Sequence, residues 1–278
     1  MDRDVFQLNS EIEMKHWWFV ARRQIISGII RELLPANASN TVVDVGCGTG
    51  GNISDLAADY RCFGIDPSAD AIAWARERFP DVHFTEGLAP QDLGNEARQA
   101  DLFMLNDVLE HVPDDFQVFS ELLSVSKPGA LFVMTVPADM SLWSPHDEIH
   151  GHYRRYTSER FAQIWEGMPV ESMLLSHFNA RLYPIVKTLR TVNRIRRTSS
   201  GDHGTDLKVP ATWLNQRLTN IFAGEQSRLM KQLQRKQTSG GFGRGVSLVT
   251  VLRRQAGEVS PRQRPPHLAD DPTLFKAA

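Results

Sequence analysis

The chain has 278 residues, 41% of them hydrophobic, two cysteines and a formal net charge of −2. That composition suits a full globular core. It excludes a disulfide framework or a cysteine-based zinc site, and no apolar run reaches the roughly 18 residues that cross a bilayer.

The start, MDRDVFQLNSEIEMK, has no apolar stretch behind its charges, so no secretory leader is expected. A reducing, cytoplasmic setting is expected, with the inner face of the membrane as a possible peripheral location. Charge is unevenly spread. Residues 1–180 carry 13 Lys/Arg and 27 Asp/Glu, whereas residues 181–278 carry 18 and 6. Either the basic part meets an anionic partner, or the two parts attract one another within or between subunits.

Residues 1–37 read as an N-terminal helical cap. HWWFVARR (16–23) lies on its helix. Trp17 and Trp18 are costly to expose together, so they pack over a ligand or simply on the domain. Arg22 and Arg23 are candidates to meet a carboxylate.

Residues 38–178 read as an α/β core. A short apolar strand over 41–45 leads into GCGTGG, and Ile53, Leu56, Ala57 and Tyr60 predict a helix over 52–60. Gly46, Gly48 and Gly50 therefore sit on a strand-to-helix turn where a ligand can touch bare main chain. A second strand over 62–65 ends in Asp66. An acidic residue about 20 positions beyond the glycines, at a strand end, is placed to accept both hydroxyls of a ribose. The alternative is a cap on the helix that follows Pro67 and Ser68. Further strands are predicted over 82–85, 101–106 and 130–136, with a helix over 114–125 between the last two. This alternation predicts a doubly wound, mostly parallel sheet whose ligands bind at the C-terminal strand ends.

The motifs DVGCGTG, GIDPS, DLFMLNDVLEHV and KPGALFVMTVP stand in one order and spacing. Together they resemble the class I S-adenosylmethionine-dependent methyltransferases over about residues 38–180. The resemblance implies a Rossmann-like, seven-stranded sheet and S-adenosyl-L-methionine as cofactor. By position, Asp44, Gly46, Cys47, Gly48 and Gly50 would hold the methionine part, and Asp66 with Pro67 the ribose. Gly87, Leu88 and Ala89 would border the adenine, and Asn106 and Asp107 would lie beside the amino-acid end. HWWFVARR, SPHDEIHGHYRRYT and GFGRGVSLVTVLRR resemble a bacterial subgroup of this family.

The segment after the fifth strand gathers His146, His150, His152, Arg154, Arg155 and Tyr156. Its histidines suit a base, metal ligands or anchors for an anion; local pairing in a loop is the alternative. Asp107, Glu110 and His111 resemble the metal-binding residues of ubiquinone-pathway O-methyltransferases and small-RNA 2′-O-methyltransferases, with His146 or His150 to complete a shell. The same tetrapeptide, LEHV, occurs in members without metal, and the expectation is no metal, with Asp107 and His111 lining the acceptor pocket. Base candidates are His111, His146, His150 and His152. For a carboxylate acceptor no base is needed, and Arg22, Arg154 or Arg155 would position it.

A sixth strand is predicted over 170–178 and a seventh over 246–254, as an antiparallel pair. Between them, 179–245 forms a helical insert with a basic amphipathic helix over 181–197, a loop over 199–204 and a second helix over 213–233. The insert reads as a lid, a homodimer interface or a membrane-surface element; too few aromatics interleave with its basic residues for a nucleic-acid role. Residues 255–278 read as a disordered tail. The function expected is methyl transfer to a small-molecule acceptor, first of all at oxygen, with carbon or nitrogen, a lipid-linked or glycan substrate, or a non-catalytic cofactor-binding partner role as alternatives.

Overall fold

The computed structural model describes residues 3–196, 208–235 and 241–262. Two helices come first, α1 (Arg3–Ile12) and α2 (Trp17–Leu33), where a single N-terminal helix is expected. Strands and helices then alternate: β1 (Thr41–Val45), β2 (Arg61–Asp66), α3 (Ala69–Arg78), β3 (His83–Glu86), α4 (Glu96–Gln99), β4 (Leu102–Asn106), α5 (Asp115–Val125), β5 (Leu131–Pro137), α6 (Pro145–Ile149), α7 (Ser158–Ala162) and β6 (Val170–Phe178). α8 (Tyr183–Arg196), α9 (Thr212–Ala223) and α10 (Gln226–Gln234) precede β7 (Ser247–Arg254). The seven strands form one sheet in the order β3-β2-β1-β4-β5-β7-β6. β1 to β5 run parallel, and β7 lies antiparallel between β5 and β6.

Successive side chains of a strand point to opposite faces. Val42, Met104 and Val133 therefore join Ile25 and Ile29 of α2 on one face, while Val43, Phe103 and Phe132 join Phe119 of α5 on the other. With both faces covered, the strands read as continuous apolar runs. The strand order reverses between β1 and β4, which opens a crevice at their C-terminal ends.

Three expectations change. The helix expected over 52–60 is a 3₁₀ turn, Ile53–Leu56. The helix expected over 213–233 is two, α9 and α10, broken at Gly224 and Glu225, whose buried carboxylate accepts from the Arg181 main chain at 2.7 Å. The insert also forms part of the core, since Phe222, Leu229 and Leu233 share the cluster of α2. Asn215 of α9 clasps the start of α2, accepting from Trp17 N at 2.9 Å and donating to Lys15 O at 2.8 Å.

Three of the four basic residues of α8 are engaged by the domain itself. Lys187 meets Asp139, Arg190 meets Leu142 O and Asp147, and Arg194 meets Ser141 O and Trp143 O. These three cations therefore answer acceptors in the acidic part of the same chain. Arg197 and the 199–204 loop lie outside the described residues. So do residues 263–278; the preceding stretch packs on the domain, with Arg262 N donating to Ser120 Oγ at 2.6 Å. Among the described residues no helix is long and apolar enough to cross a membrane.

Candidate functional site

The crevice is the mouth of a cavity of about 700 Å³ bounded by the ends of β1, β2 and β4, by α2 and by the insert. Gly46 and Gly48 adopt φ of 67° and 53°, the left-handed region that glycine enters without strain. A Cβ on Gly46 would strike Val108 at 2.7 Å. A Cβ on Gly48 would meet only Phe6 of α1, at 3.8 Å, so its bare main chain faces the open cavity. Gly50 differs from its expected role. It does not line the cavity, and a Cβ there would strike Phe84 at 2.7 Å, so packing requires that glycine.

Asp66 ends β2 and lines the cavity. Its carboxylate accepts from Gly48 N and from Ser68 N, both at 2.9 Å. Both roles weighed for it therefore draw on one group: it ties the glycine loop to the start of α3 and presents its edge to the cavity. Burial raises its pKa against those main-chain bonds. Asn106, at the end of β4, is 7% exposed, and neither its Oδ1 nor its Nδ2 has a hydrogen-bond partner. Unmet polar atoms are costly when buried, so a pair of them facing a cavity fits a polar ligand group. A cradle at Gly48 and this orphaned amide are what the family's cofactor would need. Cys47, Pro67, Gly87, Leu88 and Ala89 also line the cavity. Asp92 accepts from Leu88 N at 2.8 Å and fixes that loop. Asp44 lies beneath the loop, outside the lining; it is 1% exposed, and burial pushes its pKa up to about 8.

The N-terminal helices close one side. Trp17 and Trp18 both line the cavity. His16 caps α2 by accepting from Trp18 N, and burial lowers its pKa to about 4, so it is neutral and able to accept. Arg22 stacks over Trp18, 4.4 Å from the ring centroid, and pairs with Asp107. Glu13, not anticipated from sequence, accepts from Thr49 Oγ1 at 2.8 Å and pairs with Arg78, fastening the end of α1 to the glycine loop.

Opposite lies the histidine cluster. His111, His146, His150 and His152 all line the cavity, with ring centroids of His111 and His152 4.7 Å apart and of His146 and His150 4.0 Å apart. Burial lowers the pKa of all four, to about 4 for His150. Asp147, fully buried in the capping box of α6, anchors one of them, His152. It accepts from His152 Nδ1 at 3.0 Å and from Arg155 Nε at 2.8 Å. Burial opposes its charge, but the His152 bond and the guanidiniums of Arg155 and Arg190 hold its carboxyl well below the usual range. Glu110 is also fully buried. Neither of its oxygens has a hydrogen-bond partner, and burial raises its pKa to about 8.

Ligand atoms of Glu110, His111 and His152 lie within 4.8 Å of one another. Two imidazoles and a carboxylate suit a divalent transition metal. The grouping differs from the set that the resemblance named: His152 stands where His146 or His150 was weighed, and Asp107 pairs with Arg22.

Three residues expected at the acceptor are structural. Arg154, fully buried, donates to Leu109 O, Val112 O and Pro113 O and faces Asp115 at 3.5 Å. Tyr156 donates to the same Asp115 at 2.9 Å. Arg23 donates to Glu13 O and Gly51 O. None of the three lines the cavity; Arg155 does. A buried carboxylate, Asp115, also bonded by Arg160 at 2.8 Å, draws Arg154 and Tyr156 away from the site.

A family model described as a methyltransferase domain matches residues 16–168, more than half of the chain. The trans-aconitate 2-methyltransferase of Azoarcus sp. strain BH72 is 32% identical over 113 residues, 38% of this chain and 44% of that protein. Its namesake in Deinococcus radiodurans is 29% identical over 133 residues, 46% of this chain and 47% of the relative. The matches span about half the length of these curated relatives. Among solved structures, the plantazolicin methyltransferase BpumL in complex with SAH gives a TM-score of 0.54 at 13% identity, covering 91% of this chain and 90% of that one. The cyclase SpnF gives 0.52 at 18%, covering 84% and 82%. Such likenesses carry the fold and leave the chemistry to the site. With the family match spanning the helix, the glycine loop, Asp66 and the histidine segment, the chain belongs to the class I S-adenosylmethionine-dependent methyltransferases, whose cofactor is S-adenosyl-L-methionine.

Proposed function

We propose that this protein transfers a methyl group from S-adenosylmethionine to an oxygen of a small-molecule acceptor, a hydroxyl in the first place. The observation that carries this reading is the continuity of one cavity from Gly46, Gly48, Asp66 and Asn106 to Glu110, His111, His150 and His152. The bound cofactor supplies a methyl group already activated by a sulfonium. The chain's task is to hold both reactants in line and exclude water. Gly46, Cys47 and Gly48 offer main chain, Asp66 accepts from the ribose with Pro67 beside it, Gly87, Leu88 and Ala89 border the base, and Asn106 meets the amino-acid end. Trp17 and Trp18 wall off solvent.

As an acceptor hydroxyl attacks, its proton must leave. A ring of the cluster can take it: burial lowers the pKa of all four histidines, which leaves them unprotonated near pH 7 but weakens them as bases, so the ring that acts needs its protonated form stabilised. Asp147 then steadies the positive charge through His152 Nδ1. A second reading, a carboxylate acceptor, is favoured by the name of the curated relatives and by Arg22 and Arg155, both in the cavity lining. It requires no base.

The test is calorimetry with S-adenosylhomocysteine and with NADPH, followed by turnover on a panel of phenols, alcohols and carboxylic acids. Tight binding of the first ligand alone and turnover on hydroxyls are expected. No affinity for S-adenosylhomocysteine overturns the reading. Turnover confined to amines overturns the choice of oxygen.

A further inference from the structure

The cavity has two chemically unlike ends. Its floor carries the cofactor residues and the histidine cluster. Its outer wall is apolar, made by Leu182, Ile185, Val186 and Leu189 of the α8 segment with Leu218 of α9. Those four follow the i, i+3, i+4, i+7 spacing of one helix face, so they form a stripe about 10 Å long. The stripe runs outward. Leu182 is 3% exposed, whereas Ile185 and Leu189 are 56% and 53% exposed although both line the cavity. It therefore continues from the interior to the protein surface.

Two cations, Arg190 of α8 and Lys208, also line the cavity, whereas Lys187 does not. The Arg190 guanidinium turns back to Leu142 O and Asp147, and Lys187 turns to Asp139. A compact polar acceptor would leave the stripe uncovered and set its own charges against hydrocarbon. An apolar chain would cover it, with a gain of roughly fourfold in affinity for each methylene removed from water.

We propose that the acceptor is an amphiphile. Its polar, reacting oxygen sits among the histidines, and its apolar tail lies along Leu182, Val186, Ile185 and Leu189 and leaves the protein beside α8. This rests on the reading of the floor as a methyl-transfer site. It narrows the acceptor to molecules in which a hydroxyl or carboxylate heads a chain of several carbons.

The full chain saturated with S-adenosylhomocysteine is titrated with two homologous series below their micellar concentrations, 4-n-alkylphenols and n-alkanoic acids. Trp17 and Trp18 line the cavity, so tryptophan fluorescence reads binding. In at least one series Kd is expected to fall roughly fourfold per methylene until the chain outruns the stripe. Ile185→Glu and Leu189→Glu, at positions more than half exposed and so tolerant of a charge, are expected to flatten that slope while leaving S-adenosylhomocysteine affinity unchanged. A Kd independent of chain length in both series overturns the proposal. So does an equal slope in wild type and both variants. If S-adenosylhomocysteine itself does not bind wild type, the methyl-transfer reading fails and this proposal falls with it.

Discussion

Arg22 of α2 and Asp107, the residue just past β4, form an ion pair that ties the N-terminal helix to the strand end where the cavity begins. The Arg22 side chain is 5% exposed and that of Asp107 20%. Asp107 has φ of 56°, a conformation that Asp and Asn enter more readily than most residues. Thr135 Oγ1 donates to its other oxygen at 3.2 Å. Removing one partner of such a pair strands the other charge. Arg22→Met is expected to cost about 3 kcal/mol, read as a fall of several degrees in Tm. Asp107→Asn, which keeps the backbone preference, is expected to cost about the same. The double variant is expected to lose less than the sum of the two. Strict additivity in this cycle would show that the pair contributes no coupling.

Asp66 and Gly48 share one hydrogen bond, so a variant at either tests the cofactor floor. Asp66→Ala removes the carboxylate proposed to accept from the ribose, and hydrogen bonds to a charged acceptor are worth about 1.5–3 kcal/mol each. A loss of 10- to 100-fold in S-adenosylhomocysteine affinity is expected by calorimetry. Gly48→Ala fills the cradle and imposes a left-handed alanine, at about 1 kcal/mol in stability and a comparable loss of affinity. Wild-type affinity in both variants would remove the ligand from this loop.

The order of elements was legible because both faces of the sheet are buried: TVVDV, LFMLN and LFVMTVP are runs that only a covered parallel sheet explains. The turn at the glycine loop and the strand end at Asp66 were legible because the left-handed backbone at Gly46 and Gly48 restricts residue type and the apolar run of β2 stops at a carboxylate. Gly50 was misread since spacing cannot tell a glycine that admits a ligand from one that admits Phe84. Arg154 and Tyr156 were misread for a related reason. Their neighbours in sequence, His152 and Arg155, face the cavity, but these two turn to Asp115, 39 and 41 positions earlier in the chain, and no local pattern reports such a contact. Glu13 carried no signal either, because its partners, Thr49 and Arg78, come from the glycine loop and from α3.

Glu110 offers two unmet oxygens beside His111 and His152. Zn²⁺ or Mn²⁺ added to chelator-stripped protein is expected to raise Tm, since a ligand that binds only the folded state stabilises it. Glu110→Gln is expected to abolish the shift, and His152→Asn to reduce it. An identical shift in wild type and Glu110→Gln would locate the ion elsewhere.

The same cluster sets how stability follows pH in the metal-free protein. Burial lowers His150 to about 4 from an ordinary 6.5. The unfolded chain therefore binds that proton more tightly, and the contribution is present above pH 6.5 and lost as pH falls through about 4. His16 behaves alike, and His111, His146 and His152 shift in the same direction. Glu110 works the opposite way. Raised from 4.5 to about 8, it contributes stability that is complete below 4.5 and is lost as pH rises through 8. Single variants separate the two effects. The Tm advantage of wild type over His150→Asn is expected to shrink on acidification from pH 6.5 to 4. That over Glu110→Gln is expected to shrink on alkalinisation from pH 4.5 to 8. Parallel curves of Tm against pH for wild type and Glu110→Gln would mean that the carboxyl titrates normally. Its burial between β4 and the histidine segment would then be open to water in solution.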